Sequence, residues 1–278
     1  MRRPIPVSRH VDRPALEPVW LVVAAATLAV AFVVAPRTLA AGPSGGFAGQ
    51  SDLAEAARRS FTEFWAAGGP AFAPALDGVV DYWFRYHVAK AVIAVALLVV
   101  LVVLGRSIWT AFLGAGRLRA AVLATAGVVV TALGLFSTAV AMANVQGAVA
   151  PFASLLPTVV VGAPDGELSA SLHEVRQQLA GSTSSPALDV MVRDFASFHT
   201  ALALVAAAVA AVLVGASVMV LRRRAATPRS ERRTRRLLGT AGVVGVLVTV
   251  GLVVIALANA STAADPQPAL LAFLDGGW

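Results

Sequence analysis

Residues 84–105 read FRYHVAKAVIAVALLVVLVVLG, and from Ala91 to Gly105 no side chain is polar. At 1.5 Å per residue this stretch reaches about 33 Å as a helix, enough to cross a hydrocarbon core of about 30 Å. A helix satisfies its own backbone N–H and C=O groups, which lipid cannot do, so the stretch predicts a transmembrane helix.

Four more stretches of this kind run over about 19–41, 120–144, 197–221 and 237–259. The whole chain is 58% hydrophobic and 13% charged, whereas charged residues make up about a quarter of a soluble domain. The expectation is an all-α integral membrane helical bundle with about five transmembrane helices and the lipid bilayer as its first partner. The span at 19–41 loses its uninterrupted apolar run at Pro36 and Arg37, so Arg37 has to reach out to the outer headgroups. Residues 1–41 also fit a signal peptide ending in TLAA (38–41), although their long apolar core favours a retained span.

Arginine placement sets the orientation, because inner loops carry the positive excess. Of 22 basic residues, four lie in 1–18, three in 105–119 and eight in 222–236, all on one side of a five-span count. The segments 37–86, 145–198 and 260–278 hold six arginines and twelve of the fifteen acids. The N-terminus is therefore expected in the cytoplasm and the C-terminus outside. With one lysine, Lys90, against 21 arginines, and abundant Ala, Val and Gly, the chain looks like coding from a GC-rich genome, which points to a bacterial plasma membrane. The net charge of +7 lies in short segments between apolar runs, a topology signal and not a nucleic-acid surface. Without cysteine there are no disulfides, thiolate metal sites or cysteine nucleophiles.

Two parts of the chain resemble each other. PALDGVVDYWFRYH (74–87) and PALDVMVRDFASFH (186–199) share six of fourteen residues at an offset of 112, including both prolines and both histidines. Residues 125–156 align with 240–271 at an offset of 115 without a gap, keeping Asn144 with Asn259 and Pro151 with Pro266. The polar and proline matches carry weight that apolar matches do not. A tandem repeat of a two-span unit follows, with both copies entering from the same side as a parallel repeat.

The expected order is a leader at 1–18, a first span at 19–41, an outer loop at 42–73 and repeat unit 1 at 74–156 around an inner loop at 105–119. An outer loop at 157–185, repeat unit 2 at 186–271 around the basic inner loop 222–236, and an outer tail at 272–278 complete it. Short outer-face helices are expected at 52–65, with Asp52 and Glu55 as a capping-box pair, and at 167–179. Pro74 and Pro186 mark helix starts, the second capped by Ser185. From Pro186 to Leu221 a single helix measures about 54 Å, so several turns project outside the bilayer.

The candidate polar site consists of His87, Lys90, Asn144, His199 and Asn259 at the outer ends of the spans. The paired histidines could hold a haem, or they could be ordinary interfacial residues. The asparagines read first as helix terminators, and Lys90 is an intramembrane charge that can snorkel outward. Asp189 and Arg193 read as a surface pair. Ala203, Ala207, Ala211 and Gly215, with Gly242 and Gly245, form small-residue faces expected to pack helices within the bundle, oligomerisation being the alternative. Arg222, Arg223, Arg224, Arg229, Arg232, Arg233, Arg235 and Arg236 enforce topology and can meet anionic lipid headgroups. No phosphate-cradling glycine loop, HExxH, GxSxG or Ser–His–Asp pattern is present, so no catalytic residue and no metal site is expected.

The function expected from these residues is a non-catalytic subunit or scaffold that binds a partner protein or itself. A transporter or lipid-handling protein with a pathway between the repeats is the second reading. A membrane cytochrome, with haem between His87 and His199, is the third.

Overall fold

The computed structural model describes residues 18–42, 45–162, 166–181 and 184–277; the leader up to residue 17 lies outside them. Among the described residues there are nine helices. Five are long and apolar enough to cross a membrane: α1 (Pro18–Ala40), α3 (Pro74–Gly114), α4 (Arg117–Val149), α7 (Pro186–Ala226) and α8 (Arg232–Ala264). Four are short: α2 (Gln50–Ala67), α5 (Pro151–Val160), α6 (Glu167–Ala180) and α9 (Pro266–Leu274).

The long helices pack in chain order, α1 on α3, α3 on α4, α4 on α7 and α7 on α8. This is an open row, a looser arrangement than the expected bundle. Even in α4, at the centre of the row, only 22% of the most apolar window is buried. Valines and leucines such as Val33, Val122, Val212 and Leu247 point away from the protein. Small residues bring neighbours close: Ser137 Oγ on α4 donates to the Ala94 carbonyl of α3 at 2.8 Å. Gly127 lies beneath the Trp109 ring.

The connections between α3 and α4 and between α7 and α8 are shorter than the sequence suggested. α3 runs on through Arg106 to Gly114 and α4 starts at Arg117, so most of the expected 105–119 loop is helical. Likewise α7 continues through Arg222, Arg223 and Arg224 to Ala226, and α8 begins at Arg232. Nothing in RSIWTAFLG or LRRRAA breaks a helix, and arginines in the last turn of α7 complement its negative end. Arg233 fastens the two inner turns together, donating to the Ala115 carbonyl at 2.7 Å and lying 4.1 Å over the Phe112 ring.

The four short helices and the first turns of α3 and α7 form a second layer with its own apolar core. Phe61, Phe64, Phe152, Leu155, Leu156 and Leu270 are fully buried there. On α2, Leu53, Ala57, Phe61 and Phe64 recur every three or four residues, the period that puts one helix face into a core. α3 and α7 are each 41 residues long, about 61 Å at helical rise, which leaves their outer turns free to enter this layer.

Ser185 caps α7 as expected, accepting from the Leu188 amide at 3.2 Å ahead of Pro186. Two other expectations fail. α2 starts at Gln50 after Gly49, so Asp52 and Glu55 lie inside the helix and form no capping box; Glu55 pairs with Arg59 at 2.7 Å instead. Asp189 accepts from Ser184 Oγ, the nearer donor, and does not pair with Arg193.

Candidate functional site

Where the row of long helices meets the outer layer, the four matched polar residues join two by two. His87 Nδ1 on α3 bonds Asn144 Oδ1 on α4 at 3.0 Å, and His199 Nδ1 on α7 bonds Asn259 Oδ1 on α8 at 2.8 Å. Each asparagine uses its Nδ2 to donate to the carbonyl four residues back, Val140 at 2.7 Å and Ile255 at 2.9 Å. That contact fixes the amide orientation and leaves Oδ1 as acceptor, so each histidine donates from Nδ1.

The asparagines therefore do not terminate their helices. α4 continues to Val149 and α8 to Ala264, and the real stops are Ala150 before Pro151 and Asp265 before Pro266. A residue before proline is driven out of the helical region, and proline then starts the next helix at a position that needs no N–H.

Aromatic rings hold both histidines edge-on: Trp83 and Tyr86 around His87, Phe195 and Phe198 around His199. Trp83 also donates from Nε1 to Ser154 Oγ on α5 at 2.7 Å. The two pairs differ in enclosure. Gly147 lies against the His87 ring so closely that a Cβ there would sit 2.7 Å from Nε2. His87 Nε2 is buried and makes no hydrogen bond, while the second pair is more open. At the positions aligned with Gly147 and Lys90 the second half carries Thr262 and Leu202.

Lys90 is held between rings, its Nζ 4.5 Å from the centroid of Phe32 on α1 and 5.1 Å from that of Tyr86. Both distances lie within the range of a cation–π attraction. The lysine thereby ties α1 to α3.

The small-residue faces divide. Gly242 and Gly245 on α8 meet Leu221, Val220 and Ser217 of α7. On α7, however, Ala206 and Ala210 are the buried positions, while Ala207, Ala211 and Gly215 are exposed and Ala203 is half-buried. The expectation that this stripe packs within the bundle is corrected: α7 turns another face to α4 and α8.

Of the arginines between positions 222 and 236, Arg233 and Arg235 are engaged by backbone carbonyls. Arg224, Arg229, Arg232, Arg235 and Arg236 line an open cleft of about 540 Å³ at the α7–α8 turn.

Three further arginines were missed as functional parts of the frame, and each binds the C-terminal end of another helix. Arg85 donates to the Ala40 carbonyl ending α1, Arg58 to the Val161 carbonyl closing α5, and Arg176 to Leu274 of α9 and to Asp275. Helix ends expose unpaired carbonyls and a partial negative charge, and guanidinium answers both. At the other end of α5, Asp194 of α7 accepts from the Ala153 amide at 2.6 Å. Nothing local to these residues in sequence names a partner 41 to 103 positions away.

Comparison with protein-family models, curated proteins and solved structures found no match.

Proposed function

We propose that this chain is a multi-pass subunit or scaffold of a bacterial plasma membrane, N-terminus inside and C-terminus outside, which holds a partner protein or a second copy of itself. The observation that carries this reading is the uncovered stripe Ala207, Ala211 and Gly215 on α7. Small residues four apart let another helix approach closely, and among the described residues no helix of this chain lies there. The outer layer would set that helix's position by offering a rigid, well-packed base.

The tandem repeat belongs to this proposal, extended from two spans to four helices. α3 and α7 begin and end 112 residues apart, and α4 and α8 begin and end 115 apart. α2 binds the end of α5 through Arg58, and α6 binds the end of α9 through Arg176. Such parallels support duplication of the unit α2–α5 as α6–α9. The arginines lining the cleft at the α7–α8 turn suit anionic headgroups on the cytoplasmic side.

The test is purification in mild detergent from native membrane, comparing the wild type with Ala207→Leu/Ala211→Leu. Stoichiometric recovery of a second chain with the wild type, and its loss from the variant, are the expected results. A wild-type chain recovered as a lone monomer would move the reading to lipid handling, which an apolar groove beside α1 favours. The cytochrome reading gains little, because each histidine is bound to the asparagine of its own hairpin and α4 stands between α3 and α7 in the row. A Soret band in the purified protein would revive it.

A further inference from the structure

Between α1 and α4, with α3 as its floor, lies a half-open apolar groove of about 620 Å³. On α3 its lining residues Ala94, Leu97, Leu101 and Leu104 alternate at spacings of three and four, and Lys90 continues that stripe one turn outward. Phe32 of α1 both lines the groove and lies under the Lys90 ammonium. Small residues on α1, Ala26 and Ala29 among them, give the groove its depth.

Its outer end is cationic. Arg37 lines a small recess with Tyr86, the ring that also faces Lys90. Among the described residues neither cation has a carboxylate within ion-pair distance, whereas the nearby Arg85 is paired with Asp81 at 2.6 Å. From Lys90 to Leu104 the stripe measures about 21 Å along the helix. That exceeds the ~15 Å depth of one leaflet's hydrocarbon, half of a ~30 Å core, so a whole acyl chain can lie in it. The length suits an acyl chain, and the charge of Lys90 and Arg37 favours an anionic headgroup.

We propose that the groove formed by α1, α3 and α4 binds one acyl chain of an anionic phospholipid, whose phosphate sits at Lys90 and Arg37. The site rests on insertion of the chain in a bilayer, as read above, but not on the protein partner. Lipid bound by a lone chain would sink the scaffold and leave this site standing.

Native mass spectrometry of the full chain, released from vesicles of phosphatidylcholine and phosphatidylglycerol in equal parts, reads the bound lipid directly. The wild type is expected to retain one phosphatidylglycerol in preference to phosphatidylcholine. Lys90→Gln/Arg37→Gln lowers that preference about thirtyfold, since each cation near the surface is worth about 1 kcal/mol, or about fivefold. Ala29→Phe fills the groove and removes lipid of both kinds.

A phosphatidylglycerol with a photoreactive group midway along its chain, applied to the wild type alone, avoids any question of variant folding. It is expected to label peptides within 22–33, 94–104 or 130–140. Equal retention of the two lipids by the wild type, labelling confined to other segments, or a protein chain displaced by Ala29→Phe would each overturn the assignment. A chain that stays in solution without detergent overturns it together with the membrane reading.

Discussion

Replacing Gly147 with alanine tests the geometry of the first His–Asn pair at its tightest point. The added Cβ would fall 2.7 Å from Cε1 and Nε2 and 2.8 Å from Nδ1 of His87. The ring cannot easily yield, because Asn144 holds one edge and Trp83 packs against it with centroids 4.8 Å apart. Overpacking of this kind costs about 1–3 kcal/mol, and a displaced ring also loses a hydrogen bond worth about 0.5–1.5 kcal/mol. Alanine returns about 1 kcal/mol of helix propensity. The sum is a net loss of about 0.5–3.5 kcal/mol. In Gly134→Ala, on the same helix, the nearest atom to the new Cβ is 4.0 Å away, so only the propensity gain remains and the protein is unchanged or slightly more stable. Unfolding in a denaturing detergent series, followed by helical circular dichroism and tryptophan fluorescence, measures both. In a His87→Ala background the cost of Gly147→Ala is expected to vanish, because the ring it strikes is gone. A Gly147→Ala protein as stable as wild type, or a cost that persists without His87, would contradict the packing described.

Asn144→Ala is expected to cost about 1 kcal/mol, and Asn259→Ala less, because the second pair is more open; the same unfolding series compares them. Arg58→Ala and Arg176→Ala each strip a helix end of its donor, and hydrogen exchange should quicken in the last turns of α5 and α9 respectively while the long helices stay protected. Ser185→Ala removes the α7 cap at about 1 kcal/mol, read as a shift in the unfolding midpoint. Because the chain lacks cysteine, single cysteines report sidedness cleanly: in intact cells Glu63→Cys should react with an impermeant maleimide and Arg229→Cys should not.

The five long helices were legible because a length and an apolar composition sufficient to cross a membrane are features that no soluble segment needs. Arginine runs were read as loops and proved to be helix ends, since charge reports the side of a membrane and says nothing about where hydrogen bonding stops. Asn144 and Asn259 read as helix terminators in the sequence and instead bond histidines. Asparagine near a helix end usually closes it, and only the placement of His87 and His199 one helix away shows what these two bind. Pro151 and Pro266 carried the information about where α4 and α8 end, through the rule that the residue before proline leaves the helix. The uncovered α7 stripe could not be predicted, because Ala201, Ala206 and Ala210 offer an equally small face a fraction of a turn away, and composition alone does not choose between them.

The outer layer draws its core from distant parts of the chain, with Phe61 near the start and Leu270 and Leu274 at the end all sealed inside it. If the short helices lie outside the membrane, they arrive there in three instalments: α2 after the first crossing, α5 and α6 after the third, α9 after the fifth. Until the last instalment crosses, the pocket made for it stays open, with Phe195 and Arg176 lacking their companions. In that case a chain stalled at its fourth crossing would display an unfinished, apolar surface where α9 belongs.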